Sequence, residues 1–393
     1  MRRIVFLTQF FPGASSGAGP WCERYNGLYG KLFRSGDGNS LQTAWYDLQE
    51  STLREMTGDG WVVGRLSLYR FLWRELLGAM RMQETTTMVV AYPIFGTRDV
   101  VASSFTAVLL RVMRLTGKVR VLIDFIDPPL MMISLFVKNP LKRMALRFFR
   151  RRQEQFLLRS ANIIVTNAPE MGSYLRDEHL LTHQEFTHIP MGLDIPAVQP
   201  SLAGARSSWF TLCYGGVLSA DRGILELYTC LERVNTRFPV TLVCCGRVDP
   251  NLELPERPWL KIYSGLGYQE YMEFLMTRAD AGIIPYPVND WWGSASISKL
   301  ATYAAAGIPI LSTDLAHTRR FLAHWKCGLV AISWQEMEDN IIHLYEDRPF
   351  CGQLGRRARI AAEQALDWNL LTRSLAAVIQ GDGPIRKAHE AYR

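Results

Sequence analysis

The sequence of 393 residues predicts an α/β protein with two Rossmann-like domains that face each other across a cleft. Short apolar runs alternate with helical patterns in both halves, which indicates parallel sheets covered by helices. A stretch rich in Pro, Gly, Ser and Ala, without apolar periodicity, separates the halves at 194–208 and predicts a linker. We expect domains at 1–195 and 205–370. A C-terminal helix and tail at 371–393 can return to the first domain.

The strand candidates are short, β-rich apolar runs. In the first half they lie at 4–7, 88–92, 119–124 and 162–166. In the second half they lie at 210–214, 240–245, 281–286, 308–312 and 328–332. Ligands of such sheets bind beyond the carboxyl ends of the strands, so the connecting segments there are the candidate sites.

Composition favours a cytoplasmic protein. The longest apolar run, at 130–137, is far shorter than the roughly 20 residues that a transmembrane helix needs. The N-terminal run contains Thr8 and Gln9 and predicts a buried strand rather than a signal peptide. The seven cysteines lack Cys-x-x-Cys spacing, which predicts reduced thiols, with neither disulfides nor a thiolate metal site.

The net charge of +7 is concentrated at 138–159, which contains eight basic residues and one acid. Arginines flank Leu141, Ala145, Phe148 and Phe149 on the predicted helix, a pattern typical of a surface that contacts anionic lipid. We therefore expect a peripheral protein at the inner face of the membrane. A solvated helix is the main alternative. Nucleic-acid binding is less favoured because no recognised motif accompanies the charge.

Two glycine-bearing segments follow predicted strands. The first, at 12–20, contains Gly17 and Gly19 and precedes a helix from Trp21, so its backbone could approach an anion. It lacks Gly-x-Gly-x-x-Gly spacing, which disfavours a dinucleotide cofactor, and a plain turn is the alternative. The second contains Gly216 and, next to Gly223, Arg222, whose guanidinium could pair with phosphate or could be solvated.

Residues 294–310, SASISKLATYAAAGIPI, place Lys299 in the first turn of a predicted helix that Ser296 or Ser298 could cap. A cation there is disfavoured by about 0.3–1 kcal/mol because the helix N-terminus is positive. An anion between the lysine and the helix amides would reverse that sign. The alternative is a surface lysine with an extended stem.

These segments resemble the two-domain GT-B glycosyltransferases of the large family four. The resemblance is carried by LATYAAAGIPILSTD (300–314), HIPMGLD (188–194), GGVLSADRG (215–223) and LDWNLL (366–371). It implies that Lys299 and Arg222 hold the diphosphate of a nucleotide-sugar donor, and that no metal or other cofactor is needed. The other donor-binding positions that it implies are Gly17, Gly19, Gly216, Ser298, Thr302 and Tyr303.

The sequence departs from the family at three positions. Ser294 and Thr302 stand where the family usually has two glutamates, and Val217 stands where it has an arginine. A retained lysine without those glutamates is similar to the inverting glucuronosyltransferase of xanthan synthesis. That similarity directs attention to Asp124 and Asp127, which follow a predicted strand where side chains could reach the cleft.

Asp127 is the candidate general base for an inverting reaction. It could instead cap the turn before two prolines, or only position the acceptor if the reaction retains configuration. The resemblance predicts a hexosyltransferase acting on a lipid-linked saccharide of a surface polymer. The rival functions are a catalytically silent homologue that serves as a nucleotide-binding or partner subunit, and a sugar-nucleotide epimerase.

Two further features were weighed and are not favoured. His179 and His183 have the spacing of helical zinc ligands, but the sequence shows no third ligand near them. Trp291 and Trp292 precede the Lys299 helix and could stack on a sugar, although burial is the more frequent fate of such residues.

Overall fold

The computed structural model describes residues 2–8, 24–34, 41–48, 50–57, 60–81, 85–92, 100–126, 128–197 and 209–381. These residues form two compact units. The first unit contains residues 2–190 together with 371–381, and the second contains residues 191–370.

The first unit is built on an eight-stranded sheet in the order β4-β3-β2-β1-β5-β6-β7-β8. Strands β1, β2, β5, β6, β7 and β8 run parallel to one another, whereas β3 pairs antiparallel with β2 and β4. The strands are β1 (Arg2–Thr8), β2 (Leu41–Asp47), β3 (Thr52–Thr57), β4 (Gly60–Arg65), β5 (Thr86–Tyr92), β6 (Val119–Phe125), β7 (Ile163–Thr166) and β8 (Glu185–His188).

Helices pack against this sheet, and the central strands are near-continuous apolar runs because both of their faces are covered. A π-helical turn (Tyr25–Tyr29) leads into the first helix. The helices are α1 (Gly30–Arg34), α2 (Leu68–Arg81), α3 (Val100–Leu115), α4 (Pro129–Phe136), α5 (Pro140–Leu158) and α6 (Pro169–His179).

The second unit is built on a six-stranded, fully parallel sheet in the order β11-β10-β9-β12-β13-β14. Its strands are β9 (Phe210–Gly215), β10 (Val240–Cys245), β11 (Leu260–Tyr263), β12 (Ala281–Ile284), β13 (Ile310–Thr313) and β14 (Gly328–Ala331). Its helices are α7 (Ile224–Val234), α8 (Tyr268–Arg278), α9 (Asp290–Ser294), α10 (Ser298–Ala305), α11 (Ala316–Trp325), α12 (Trp334–Glu346) and α13 (Arg348–Ala361).

The last described helix, α14 (Trp368–Gln380), starts in the second unit and continues in the first. In the second unit, the Trp368 N–H donates to the Leu193 carbonyl over 3.1 Å. In the first unit, Arg120 Nη1 donates to the Val378 carbonyl over 3.0 Å. Backbone and side-chain hydrogen bonds thus hold both ends of α14.

The helices and the cysteines of the described residues concern the sequence predictions on membrane spans and disulfides. None of the helices that the structure describes combines the length and the apolar character that a membrane crossing requires. The six cysteines within the described ranges are free thiols in buried positions.

Candidate functional site

The second sheet reverses its winding direction between β9 and β12. From β9 the chain continues to β10 and β11 on one side, and it then returns to β12, β13 and β14 on the other. Because the sheet is parallel, the carboxyl ends of β9 and β12 lie at the same edge. Ligands of open α/β sheets bind at such a switch point. The segments that follow β9 and β12 are therefore the first candidates for a site.

Gly216, directly after β9, is the point on which two cations converge. A Cβ atom built on Gly216 would lie 2.9 Å from Lys299 Nζ and 3.8 Å from Arg222 Nη1. The φ angle of Gly216 is +124°, in a region that favours glycine. The Gly216 N–H donates to the Cys245 carbonyl over 2.8 Å, which fixes the backbone at this position. The structure thus brings the predicted ligand residues Lys299 and Arg222 together at Gly216.

Lys299 is buried, with 9% of its surface exposed, although it carries a charge. Its Nζ donates to the Tyr286 hydroxyl over 2.5 Å. The ammonium group also lies 5.1 Å from the ring centroid of Tyr214 and 4.9 Å from that of Tyr286. Cations are attracted to aromatic faces at such distances. Two tyrosines that end neighbouring strands therefore hold the lysine head group in place.

Arg222 is placed by the glycine that follows it. Gly223 has φ +71°, and a Cβ atom there would lie 1.9 Å from the Pro285 carbonyl oxygen, so only glycine lets this turn pack against the segment after β12. The Arg222 guanidinium lies 5.7 Å from the Trp292 ring centroid and 5.9 Å from that of Tyr286. Its Nε is buried without a hydrogen-bond partner in the described structure. The hydrogen-bonding capacity of this N–H is therefore unused within the described structure.

Neither cation forms an ion pair with a carboxylate among the described residues. From their distances to the Gly216 Cβ position, Lys299 Nζ and Arg222 Nη1 lie within about 7 Å of each other, where like charges repel by about 2 kcal/mol at an effective dielectric constant near 20. Ser298 and Lys299 form the first turn of α10, whose N-terminus has no side-chain cap. An anion at this position would relieve the repulsion and accept hydrogen bonds from the helix.

The charges also act on Tyr286. Burial alone would raise the pKa of its hydroxyl, but the positive charges of Lys299 and Arg222 outweigh that effect and hold the pKa below its usual value. Burial raises the pKa of Tyr214. The positive potential at this site therefore favours negative charge, and it lowers the pKa of Tyr286.

Two predicted ligand positions, Thr302 and Tyr303, have other roles in the structure. Tyr303 is fully buried beneath the sheet, where its hydroxyl accepts from the Gly215 N–H over 3.1 Å and lies 3.4 Å from the Ile283 carbonyl. Thr302 Oγ1 donates to the Ser298 carbonyl over 3.1 Å. Tyr303 thus positions the end of β9, and Thr302 bonds within its own helix.

The predicted serine cap of α10 is wrong. The N-cap residue is Ile297, and no side chain caps this end. The Ser296 hydroxyl instead accepts from the Met191 N–H over 3.2 Å, at the start of the second unit. Ser298 is half-buried in the first turn. The sequence could not reveal this competition because Met191 is 105 residues away from Ser296.

Ser294 and Val217, which the sequence comparison singled out because a resembling family has charged residues there, make local hydrogen bonds. The Ser294 hydroxyl donates to the Asp290 carbonyl one turn earlier in α9. Val217 contributes its carbonyl, which accepts from the Tyr214 hydroxyl over 2.8 Å. Hydroxyl and aliphatic groups therefore stand where the family has charged ones.

In the first unit, the expectation that the Asp124 side chain reaches a ligand-binding surface is wrong. Asp124 is fully buried and does not reach an open surface. It forms an ion pair with Arg24, whose Nε lies 2.8 Å from Asp124 Oδ2, and the Tyr29 hydroxyl also donates to it. Asp124 is thus an internal anchor. The predicted base Asp127, and the predicted ligand-loop residues Gly17 and Gly19, lie outside the described residues.

Sequence reasoning missed the two tyrosines around Lys299 and gave Trp292 little weight. Trp292 is half-buried, and its ring centroid lies 4.2 Å from that of Tyr286. A usable signal existed, because Tyr214 is the penultimate residue of β9 and Tyr286 follows β12 by two positions. Aromatic residues at the carboxyl ends of adjacent strands are candidates for a site, but adjacency itself is not visible in the sequence.

Within the described ranges, no group of three or more His, Cys, Asp and Glu residues is arranged to hold a metal ion. His179 Nε2 lies 3.2 Å from Glu154 Oε2, and both side chains are fully buried. This histidine therefore belongs to an internal pair.

No family model and no curated protein matches the chain. Solved structures do match it. The chain is similar to sucrose-phosphate synthase from Thermosynechococcus elongatus, with 13% identity, coverage of 97% of this chain and 98% of that one, and a TM-score of 0.67. It is also similar to an α,α-trehalose-phosphate synthase (UDP-forming) from Burkholderia xenovorans in complex with glucose-6-phosphate, with 13% identity, 97% and 100% coverage and a TM-score of 0.58.

A third similar structure is WaaG, a glycosyltransferase involved in lipopolysaccharide biosynthesis. Its identity is 14%, the match covers 81% of this chain and 97% of that one, and the TM-score is 0.52. Similarity at this level of identity concerns the fold. The chain has the α/β fold of the GT-B glycosyltransferases, with two domains built on parallel sheets, as the sequence predicted.

Proposed function

We propose that the chain is a glycosyltransferase that moves a hexose from a nucleoside-diphosphate sugar to a saccharide acceptor. The observation that carries the proposal is the convergence of Lys299 and Arg222 on Gly216, at the switch point of the second sheet, without a carboxylate partner among the described residues. Two cations and an uncapped helix N-terminus form a suitable environment for a diphosphate.

The chemistry of this proposal lies in the leaving group. As the glycosidic bond breaks, negative charge develops on the diphosphate, and donors that are already in position stabilise it. Lys299 is held by the Tyr286 hydroxyl and the two tyrosine rings, so little reorganisation is required. In this proposal Lys299 and Arg222 supply the positive charge, and no metal or other cofactor takes part.

The acceptor side of the proposal rests on the sequence. We assign Asp127, which follows β6, as the general base if the reaction inverts configuration. One structural neighbour is a UDP-forming synthase, which makes UDP-sugars the first donors to test. Another takes part in lipopolysaccharide biosynthesis, in line with a lipid-linked acceptor for a surface polymer.

A lipid-linked acceptor also fits helix α5. Leu141, Met144, Phe148 and Phe149 are exposed on it, and Arg152 lies over the Phe148 ring at 5.7 Å. Exposed apolar side chains among cations suit the interface of an anionic membrane. We propose that α5 makes peripheral contact with the inner face of the membrane, and this role is separable from donor binding.

The test is a thermal-shift and calorimetry screen of UDP, GDP, ADP and their sugars on wild type, Lys299→Met and the matched control Lys261→Met. Lys261 is an exposed lysine of β11 in the same unit. One nucleoside diphosphate should stabilise wild type and the control by about 2.7 kcal/mol at a hundredfold excess over Kd. Lys299→Met loses a charge-assisted contact of about 1.5–3 kcal/mol, so its Kd should rise about 10- to 150-fold.

Equal shifts in Lys299→Met and Lys261→Met would remove Lys299 from the site. Sugar transfer, or slow hydrolysis of the donor that binds, then separates an enzyme from a silent nucleotide-binding homologue. An epimerase would instead interconvert the donor sugar without an acceptor. Binding without any turnover, in the presence of lipid-linked acceptor, would overturn the assignment as an enzyme.

A further inference from the structure

The first unit contains a basic cavity on the edge opposite to the one where Asp127 follows β6. The cavity has a volume of about 350 Å³. It lies where α3 and α5 end and where the chain enters β7 and β8, which is the edge of the amino-terminal strand ends. Its lining includes Arg111, Arg114, Arg159, Leu180, Thr182 and His183.

The positive charge of this cavity is not balanced by acids. None of the lining residues is acidic. Arg111 and Arg159 are exposed, and neither guanidinium has a hydrogen-bond or ion-pair partner among the described residues. The nearest acids along the chain are engaged elsewhere, because Glu178 pairs with Arg151 over 2.9 Å and Glu185 lies 3.8 Å from Arg120. An anion would be the natural occupant of such a site.

One arginine builds the cavity wall. Arg114 Nη1 donates to the Arg159 carbonyl over 2.7 Å and to the Ala161 carbonyl over 3.0 Å. These bonds tie the last turn of α3 to the end of α5, and they hold the Arg114 guanidinium in a fixed orientation. Arg111 is one turn earlier on the same helix, so the two side chains lie on adjoining faces.

The cavity opens beside exposed leucines. Leu180 lines it, is 63% exposed and has a left-handed backbone with φ 51°. Leu115, next to Arg114, is 77% exposed. On α3 the residues Phe105, Val108 and Val112 continue this exposed apolar stripe with helical spacing. A soluble phosphate makes no contact with an apolar rim, whereas the acyl chains of a lipid can pack against it.

The neighbouring helices extend the same surface. Tyr69 of α2 contacts Phe105 of α3 edge to face, with ring centroids 4.7 Å apart. The exposed charges on α2, α3 and α5 are all basic, since the only acids of these helices, Glu75 and Glu154, are buried. Exposed apolar residues on α2 are Tyr69, Trp73, Leu77 and Met80. This charge pattern matches an anionic bilayer.

We propose that the cavity bounded by Arg111, Arg114 and Arg159 binds the phosphate group of an anionic lipid headgroup, while Leu115 and Leu180 contact the acyl boundary. The inference deepens the membrane contact proposed for α5, and it adds a defined headgroup site to a general basic surface. It does not depend on sugar transfer, because all of its residues lie in the first unit.

The experiment measures co-sedimentation of the full chain with phosphatidylcholine vesicles, with or without phosphatidylglycerol. Wild type should bind only the vesicles that contain phosphatidylglycerol. The double variant Arg111→Gln, Arg159→Gln should partition on the order of 25-fold more weakly, at about fivefold for each cation near an anionic surface. The control Arg65→Gln, Arg356→Gln removes the same charge from two exposed residues outside the cavity. It should bind like wild type.

Equal loss in the cavity variant and the control would overturn the proposal, as would a failure of wild type to bind either vesicle. Two further measurements identify the source of the phosphate. Glycerol 3-phosphate, followed by ³¹P NMR, should bind far more weakly than the vesicles, and Leu115→Ser should weaken vesicle binding. Tight glycerol 3-phosphate binding with an unchanged Leu115→Ser variant would assign the cavity to a soluble phosphate and overturn the lipid assignment.

Folding and donor binding are monitored in the same samples. Every variant should keep its melting temperature and its stabilisation by a nucleoside diphosphate, because the substituted side chains are exposed. Loss of vesicle binding with intact nucleotide binding supports the headgroup site. If the double variant does not fold, Arg111→Gln alone and Leu115→Ser carry the same comparison.

Discussion

Gly216→Ala is the sharpest single change for the candidate donor site, because it removes no charged group and instead displaces one. The new methyl carbon would lie 2.9 Å from Lys299 Nζ and 3.4 Å from Lys299 Cε. Non-bonded heavy atoms prefer separations of about 3.5–4.0 Å, so the lysine head group must move by about 0.5–1 Å. The backbone, at φ +124°, adds strain of about 1–3 kcal/mol for a residue with a side chain.

The displacement should weaken both the bond of Lys299 to Tyr286 and its contact with a diphosphate. We expect Kd for the nucleoside diphosphate to rise at least about tenfold, which corresponds to about 1.4 kcal/mol. The strain should lower the melting temperature by about 2–10 °C. Isothermal titration calorimetry measures the first quantity and a thermal scan measures the second.

The matched control is Gly352→Ala in α13. There the nearest atom to the new Cβ is Arg356 Nη1 at 3.7 Å, an ordinary contact. Alanine within a helix should stabilise the protein by about 0.5–1 kcal/mol without affecting ligand affinity. If Gly216→Ala binds the nucleoside diphosphate as tightly as Gly352→Ala does, Lys299 does not meet the ligand at this position.

Two further predictions concern electrostatics. Because the cations hold the pKa of Tyr286 below its usual value, absorbance near 295 nm should show one tyrosine ionising below about pH 10 in wild type and not in Tyr286→Phe. Stability of wild type relative to this variant should rise as pH increases from that lowered pKa toward about 10, and a flat difference would contradict the assignment. Asp124→Ala leaves the buried Arg24 without its carboxylate partner. The free energy of unfolding, measured in urea, should therefore fall by about 3–5 kcal/mol. Glu232→Ala, which breaks an exposed pair, should cost less than about 1 kcal/mol.

The nine strands predicted from sequence are all present, with ends that differ by a few residues. Eight of them are largely buried, and their near-continuous apolar runs are easy to recognise. The ninth, β14, is a half-buried edge strand. The strands that were missed are mostly at or near sheet edges: β3 and β4, β8, and β11. Edge strands expose one side, as in the pattern of β11, and their sequences are therefore less apolar. Two missed strands had apolar centres that could have been recognised, β2 with buried Trp45 and Tyr46 and β4 with the sequence GWVVGR.

The site shows a similar division between local and distant information. Lys299 and Arg222 could be proposed because each stands beside a local signal, a helix start and a glycine turn. The aromatic contacts depend on the pairing of β9 with β12, which are far apart in the chain. The burial of Asp124 was missed for the same reason, since its partner Arg24 is 100 residues away. Sequence position predicted which end of a strand a residue occupies, but not its partners.

The hydroxyl side chains of Ser294 and Thr302 have a physical consequence for donor binding under the proposed function. The Ser294 and Thr302 hydroxyls donate to the carbonyls of Asp290 and Ser298, one turn earlier in their own helices. Because these residues are a serine and a threonine, neither position offers a carboxylate to the hydroxyls of a ribose or a sugar. Under the proposed function, Lys299 and Arg222 act on the diphosphate, where charge develops in the transition state. Interactions that are stronger in the transition state than in the bound ground state accelerate the reaction. Contacts with the sugar that are equally strong in both states would only tighten substrate binding. Selectivity among sugars must then come from residues outside this cluster.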